Sequence, residues 1–235
     1  MRRSGDELIP MLIPDSSHPY PRKPFNARGS KVTRCQRCCL PETSCICAAL
    51  KQADSMADFW LLMHHNEFYK PSNTGRIICH TFPDTGVSEW QRLAMSPAFE
   101  DTLIKRRSSA CIVFPAEADY QHRMIECPSE LPDRPLFIIP DGTWRQARRI
   151  FRHSEYLQDL PVIEPKALAK SSYFLRKADI DHHLCTAEVA IALLEQMGDQ
   201  QASDALMHNF NLFNQKYYAA KGRSMQTKSS PPAAE

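Results

Sequence analysis

The sequence predicts an α/β fold: a mostly parallel sheet flanked by helices, with a small N-terminal zinc-binding module. Three observations carry that expectation. Short apolar runs at residues 59–63, 110–114 and 136–139 alternate with longer segments of helical periodicity, the order imposed by parallel strands and crossover helices. Turn and capping residues follow the runs and open helices. Four cysteines form two close pairs ahead of the first run.

Composition bounds the rest. A chain of 235 residues has length for roughly one to two domains, and 43% hydrophobic with 24% charged residues marks a globular protein. A net charge of +2 is too small to announce nucleic-acid binding, so the placement of charge matters more than its sum. No apolar run approaches the roughly 20 residues that span a bilayer. The first residues, broken by Pro10 and Pro14, do not read as a signal peptide. These features predict a cytoplasmic protein with no membrane partner and no evident obligate protein partner. Its nine cysteines are then thiols or metal ligands. The organisation predicted is an extended basic, Pro-rich segment over 1–30, the zinc-binding module over 31–55, a catalytic domain over 56–221 and a disordered tail over 222–235.

In chain order, Pro10, Pro14, Pro19, Pro21 and Pro24 keep the lead-in from being helical. From Ser16 to Pro41 there is no acidic residue, while Arg22, Lys23, Arg28, Lys31, Arg34 and Arg37 alternate with Tyr20 and Phe25. Cations mixed with aromatics suit a phosphate backbone and exposed bases, and equally a solubilising arm. Cys35, Cys38, Cys45 and Cys47 follow as C-x2-C-x6-C-x-C. Soft thiolates on two tight turns suit the closed tetrahedron of structural zinc. Cys39 competes with Cys38 as a ligand. An iron–sulfur cluster of the C-x3-C-x2-C type is disfavoured, because its third cysteine would fall at Glu42.

The run at 59–63 reads as the first core strand and ends in His64 and His65. Thr74 and Gly75 stand at the mouth of a helix carrying Arg76, where a hydroxyl and free N–H groups form an anion-binding corner. Ser96-Pro97 starts a short helix. A second strand, 110–114, stops at Pro115. The stretch with Glu117, Asp119, Glu126 and Glu130 reads as surface. The central strand at 136–139 runs into Pro140-Asp141-Gly142, and Thr143 with Gln146 forms a Thr-x-x-Gln capping box for the next helix. That helix carries Trp144, Ala147, Ile150 and Phe151 on one face, with Arg145, Arg148, Arg149 and Arg152 around the rest. Residues 161–165 read as a short strand and 172–177 as an extended piece with a basic end. A helix capped by Thr186 ends at Gly198, and a last one places Leu206, Phe210, Phe213 and Tyr217 at core spacing.

No G-x-G-x-x-G, G-x-x-x-x-G-K-[ST] or G-x-S-x-G is present, which argues against dinucleotide, P-loop and α/β-hydrolase chemistry. What remains is a set of short motifs at strand-to-helix junctions. The string Asp141-Gly142-Thr143-Trp144 with Gln146-Ala147-Arg148, the cysteine cluster, Asn73-Thr74-Gly75-Arg76, Phe114-Pro115, Tyr173-Phe174-Leu175-Arg176 and Thr186-Ala187-Glu188 occur in one order. In that order, over about residues 35–220, the chain resembles the DTW-domain family of tRNA-uridine aminocarboxypropyltransferases. Cys185 departs from the pattern, since many members carry serine there.

The resemblance implies a SPOUT-like knotted core that binds S-adenosylmethionine. It also implies transfer of the 3-amino-3-carboxypropyl group to N3 of a tRNA uridine, in the variable loop, with methylthioadenosine released. It further implies cofactor contacts at Thr74, Gly75, Phe114, Pro115, Asp141, Thr143, Trp144, Leu184, Thr186 and Glu188. Catalytic roles fall to Asp141, as acceptor of the N3 proton, and to Trp144, as a wall beside the sulfonium. Arg22, Lys23, Arg76, Arg145, Arg149, Arg152, Arg176 and Lys177 would line the tRNA path. Two alternatives remain open on the residues themselves: a SPOUT-type RNA methyltransferase using the same cofactor, and a non-catalytic zinc-containing RNA-binding protein.

Overall fold

Residues 32–132, 134–166 and 184–221 are described by the computed structural model. Six strands make one sheet: β1 (Asp58–Met63), β2 (Gly86–Glu89), β3 (Ala110–Val113), β4 (Met124–Ile125), β5 (Leu136–Asp141) and β6 (Val162–Ile163). Their order is β2-β1-β5-β3-β6-β4, and each neighbouring pair runs parallel. Among the described residues five α-helices accompany them: α1 (Gly75–Thr81), α2 (Pro97–Arg106), α3 (Trp144–His153), α4 (Thr186–Gln196) and α5 (Gln200–Ala220). Sequence segments 1–30, 172–177 and 222–235 lie outside the described residues, and with them Arg22, Lys23, Arg176 and Lys177.

The period of two along the buried strands sorts the helices into two layers. Phe59, Leu61 and Met63 of β1, with Phe137 and Ile139 of β5, face one apolar cluster built with α1, α4 and α5. Trp60, Leu62, Leu136 and Ile138 face the other, built with α2 and α3. A sheet covered on both faces explains why these strands read as continuous apolar runs. On α5, Leu206, Phe210 and Phe213 are fully buried. Each such side chain contributes roughly 1.5–3 kcal/mol relative to exposure. The left-handed Gly198 (φ 74°) closes α4, as its position predicts.

The cysteine segment is not a separate body. Cys38, Leu40 and Ile46 are buried in the cluster that α1, α4 and α5 share. The buried Asn209 of α5 ties it further. Its amide accepts from the Lys51 N–H (2.9 Å) and donates to the Lys51 carbonyl (2.7 Å) and the Thr81 hydroxyl (2.9 Å).

Central strand β5 lies between β1 and β3, so its carboxyl end is the crevice where open α/β sheets take ligands. Pro140 sits within it at no cost to the ladder. The Asp141 carbonyl accepts from His64 N–H (2.9 Å), so Asp141 bonds toward β1 and Pro140 faces the β3 side, beyond the last β3–β5 partner, Ile138.

Two strands escaped the sequence reading. β2 begins at Gly86 and holds only four residues, and β4 has two, inside the acidic stretch read as surface. That stretch also buries Tyr120 and Leu131, and Glu117 bridges Arg148 and Arg152 (3.1 Å each). Among the described residues no helix is long and apolar enough to cross a membrane.

Candidate active site

Three junctions meet at the carboxyl end of β5: the start of α1, the β5–α3 turn and the start of α4. Asp141 stands where they meet, 1% exposed. Its Oδ2 accepts from Asn73 Nδ2 (2.7 Å), and its Oδ1 accepts from the Thr186 hydroxyl (2.6 Å). One carboxylate thereby joins residues 68 positions before it and 45 after it. Asn73 is held in turn, since its Oδ1 accepts from the Arg76 N–H (3.3 Å) and its Nδ2 also reaches Glu67 Oε2 (3.3 Å). Glu67 is buried and paired with Lys70.

The protein's own Asp141 carboxylate lies against the anion-binding corner expected at Thr74 and Gly75. A Cβ on Gly75 would come within 2.8 Å of Asp141 Oδ2 and 2.9 Å of Leu61 Cδ1, so only glycine lets the two elements approach. Thr74 does not cap α1 with its side chain. Its hydroxyl accepts instead from the Ala187 N–H of α4 (3.3 Å).

Thr186 is not the cap of α4 either, which corrects the sequence reading. It is the first helical residue, and Cys185 holds the N-cap position. The Cys185 N–H donates to Glu188 Oε2 (2.9 Å). The Thr186 hydroxyl is turned to Asp141 because tertiary contact outcompetes local capping here.

An open cleft lies in front of this network. Phe114 and Pro115 line it from the end of β3, Gly142 and Trp144 from the β5–α3 turn, and Leu184 and Thr186 from the approach to α4. The cleft thus collects five of the expected cofactor residues. Thr74, Gly75, Asp141 and Glu188 stand behind it, buried. Thr143 is exposed and engaged in the capping box with Gln146, whose side chain accepts from the Thr143 N–H at 2.7 Å. Trp144 stacks on Phe114 (5.2 Å, 7°), and Phe114 on Phe151 (4.4 Å, 5°). Arg148 lies over the same indole at 5.3 Å. The three stacked rings fix the Trp144 wall before any ligand arrives.

Glu164 also lines the cleft and was not foreseen, because an isolated Glu before Pro165 carries no pattern. His64 neighbours the turn: its Nδ1 accepts from the Asn66 N–H (3.3 Å) and lies 3.2 Å from Gln146 Nε2. Burial lowers its pKa, favouring neutral imidazole.

The expected RNA-facing cations separate into groups. Arg76 is a correction: it is fully buried and donates to the Phe68 carbonyl, so it cannot meet a phosphate. Its two buried neighbours along α1, Ile77 and Ile78, share the same apolar cluster. Arg145, Arg149 and Arg152 are exposed on α3. Arg152 is paired with Glu117, and Arg149 lies over Trp90 at 5.7 Å. Arg145 and Arg149 make no ion pair among the described residues.

The Sγ atoms of Cys35, Cys38, Cys45 and Cys47 lie within 4.8 Å of one another. Two edges measure 3.6 Å (Cys35–Cys47) and 3.9 Å (Cys38–Cys45). A tetrahedron with zinc–sulfur bonds of about 2.3 Å has edges of about 3.8 Å, so the donor set fits zinc in kind and in size. Cys39 stands outside the tetrad. It is left-handed (φ 58°), and its N–H closes the turn onto the Cys35 carbonyl (2.9 Å).

Comparison with known proteins finds a family match and a distant relative. The family model described as DTW domain matches residues 32–218. The chain is similar to a protein of Macaca fascicularis named tRNA-uridine aminocarboxypropyltransferase 2, with 26% identity over 170 residues, covering 69% of this chain and 56% of that one. It therefore spans about half the length of that curated relative. No solved structure matches the chain at a significant level.

Proposed function

The chain belongs to the DTW-domain family, and on that premise we propose that it transfers the 3-amino-3-carboxypropyl group of S-adenosylmethionine to N3 of a uridine in the variable loop of tRNA. The observation that carries the reading is the convergence of Phe114, Pro115, Trp144, Leu184 and Thr186, from three distant parts of the chain, on one cleft at the sheet's carboxyl edge. The name of the Macaca fascicularis relative supports the substrate and the reaction.

The fit to the cofactor rests on the cleft's lining. Among the described residues its walls are apolar and aromatic, with Thr186 and Glu164 beside them, and no described Lys, Arg or His lines it. Such a site suits a purine and a cationic centre. When bound, the cofactor supplies a sulfonium: N3 forms a bond to the γ-carbon, the carbon–sulfur bond breaks with its electron pair on sulfur, and N3 loses its proton.

The chain's own residues orient these partners. Trp144 and Phe114 wall the cofactor, with Pro115, Leu184 and Thr186 beside them. Thr74 and Glu188 hold the start of α4 from behind, Gly75 leaves room for Asp141, and Thr143 fixes the turn. Removal of the N3 proton by Asp141 would have to run through the Thr186 hydroxyl, because the carboxylate is buried and both its oxygens already accept hydrogen bonds. Arg145, Arg149 and Arg152 offer exposed charge to the tRNA backbone, and Arg22, Lys23, Arg176 and Lys177 would add to it.

The four cysteines would hold a structural zinc, since four thiolates complete its tetrahedron. A SPOUT-like knot and a cytoplasmic setting complete the reading. The by-product tests it. Incubation with S-adenosylmethionine and tRNA should release methylthioadenosine, whereas S-adenosylhomocysteine would identify methyl transfer and sink the proposal.

A further inference from the structure

We propose that Asp141 is a positioning residue that commits the Thr186 hydroxyl to act as an acceptor, and so makes the cleft selective for a sulfonium ligand over its thioether counterpart. The inference rests on S-adenosylmethionine being the ligand of this cleft.

A threonine hydroxyl has one proton to donate and lone pairs that accept. An ionised carboxylate only accepts. At 2.6 Å, the range of hydroxyl-to-carboxylate bonds, the proton between Thr186 Oγ1 and Asp141 Oδ1 comes from threonine. With its proton held by Asp141, the Thr186 hydroxyl is left with lone pairs alone, and Thr186 is one of the residues that line the cleft. Glu164, also in the lining, is a carboxylate whose Oε2 accepts from the Ala116 N–H (3.2 Å). Among the described lining residues Thr186 and Glu164 thus both offer acceptors, beside the aromatic rings of Trp144 and Phe114. Positive charge is stabilised in such a site, and loss of the sulfonium charge weakens binding. Group transfer turns the sulfonium into a thioether, so the same arrangement favours release of the by-product.

The network also dictates what Asp141→Asn would do. Asn73 cannot turn its amide without losing the Arg76 N–H, which its Oδ1 accepts. Its Nδ2 therefore continues to donate toward position 141, and an asparagine there must answer with Oδ1. Its own Nδ2 then faces Thr186 and donates to the hydroxyl. The Thr186 proton, displaced, points into the cleft, and the acceptor becomes a donor.

The test measures binding, not turnover. Isothermal titration of the zinc-loaded full chain would compare S-adenosylmethionine with S-adenosylhomocysteine, which lacks only the methyl group and the sulfonium charge. The parent should prefer S-adenosylmethionine by about tenfold or more, the scale of a cationic centre held beside an acceptor and an aromatic face. Asp141→Asn and Thr186→Val should bring the ratio to about threefold or less, while Thr186→Ser restores it. Should Asp141→Asn fail to fold, the Thr186→Val and Thr186→Ser pair decides alone. An unchanged ratio in folded Asp141→Asn or Thr186→Val overturns the positioning role and leaves the cofactor reading intact. A parent that binds neither compound overturns both.

Discussion

The hydroxyl of Thr74, at the mouth of α1, accepts a hydrogen bond from the backbone N–H of Ala187, in the first turn of α4 and 113 residues away. A threonine placed to cap its own helix serves another one. The consequence is measurable. Thr74→Val keeps the shape but leaves a buried N–H without its acceptor, which costs about 1–3 kcal/mol. Chemical denaturation should show a loss of that size, and Thr74→Ser should recover most of it. Equal stability for Thr74→Val and the parent would mean that the contact carries no weight.

Gly75 faces the same junction from the other side. A methyl group there meets Asp141 Oδ2, Leu61 Cδ1 and Asn73 Oδ1 within 3.2 Å, and none of these is the loose end of a flexible chain. Gly75→Ala should destabilise the protein by roughly 1–3 kcal/mol, as overpacking does. A thermal melt unchanged from the parent would contradict the close approach.

For the cysteine tetrad, purified protein should carry about one zinc per chain, ligated by sulfur. Cys38→Ser and Cys45→Ser should lose the metal and destabilise the fold, because Cys38 is also part of the core. Cys39→Ser should keep it, since that residue serves only the turn. Elemental analysis with X-ray absorption reads both outcomes, and stoichiometric iron would rule the assignment out.

Much of this arrangement was legible in the sequence, and the illegible parts share a cause. The strand ending in Asp141, the Thr143–Gln146 capping box and the core face of α5 follow from local periodicity and capping, which act over a few residues. The edge strands β2 and β4 do not, because two to four residues gain their structure from the neighbouring strand rather than from their own pattern. Arg76 was misread for a related reason. A cation beside a helix start reads as surface until the fold shows α1 buried against α4 and α5. The direction in which Thr74 and Thr186 spend their hydroxyls depends on partners more than forty residues distant, which no local rule supplies.

The basic face of α3 makes a graded prediction. Arg149 is exposed without an ion pair among the described residues, whereas Arg152 is engaged by Glu117. Arg149→Glu should weaken tRNA binding and flatten its dependence on salt, while leaving S-adenosylmethionine affinity nearly unchanged. Arg152→Glu should have the smaller effect on tRNA. Filter binding across a salt series separates the two, and equal tRNA affinity for Arg149→Glu and the parent would mean that this face is only solvated.

The central claim concerns what is added to RNA. Unmodified tRNA incubated with the zinc-loaded protein and S-adenosylmethionine, then digested to nucleosides, can be read by mass spectrometry. The account predicts one uridine heavier by the whole aminocarboxypropyl group, at a nucleotide that fragment mapping places in the variable loop. A uridine heavier by a methyl group alone, or no modified nucleoside from folded protein that binds both tRNA and the cofactor, would contradict it.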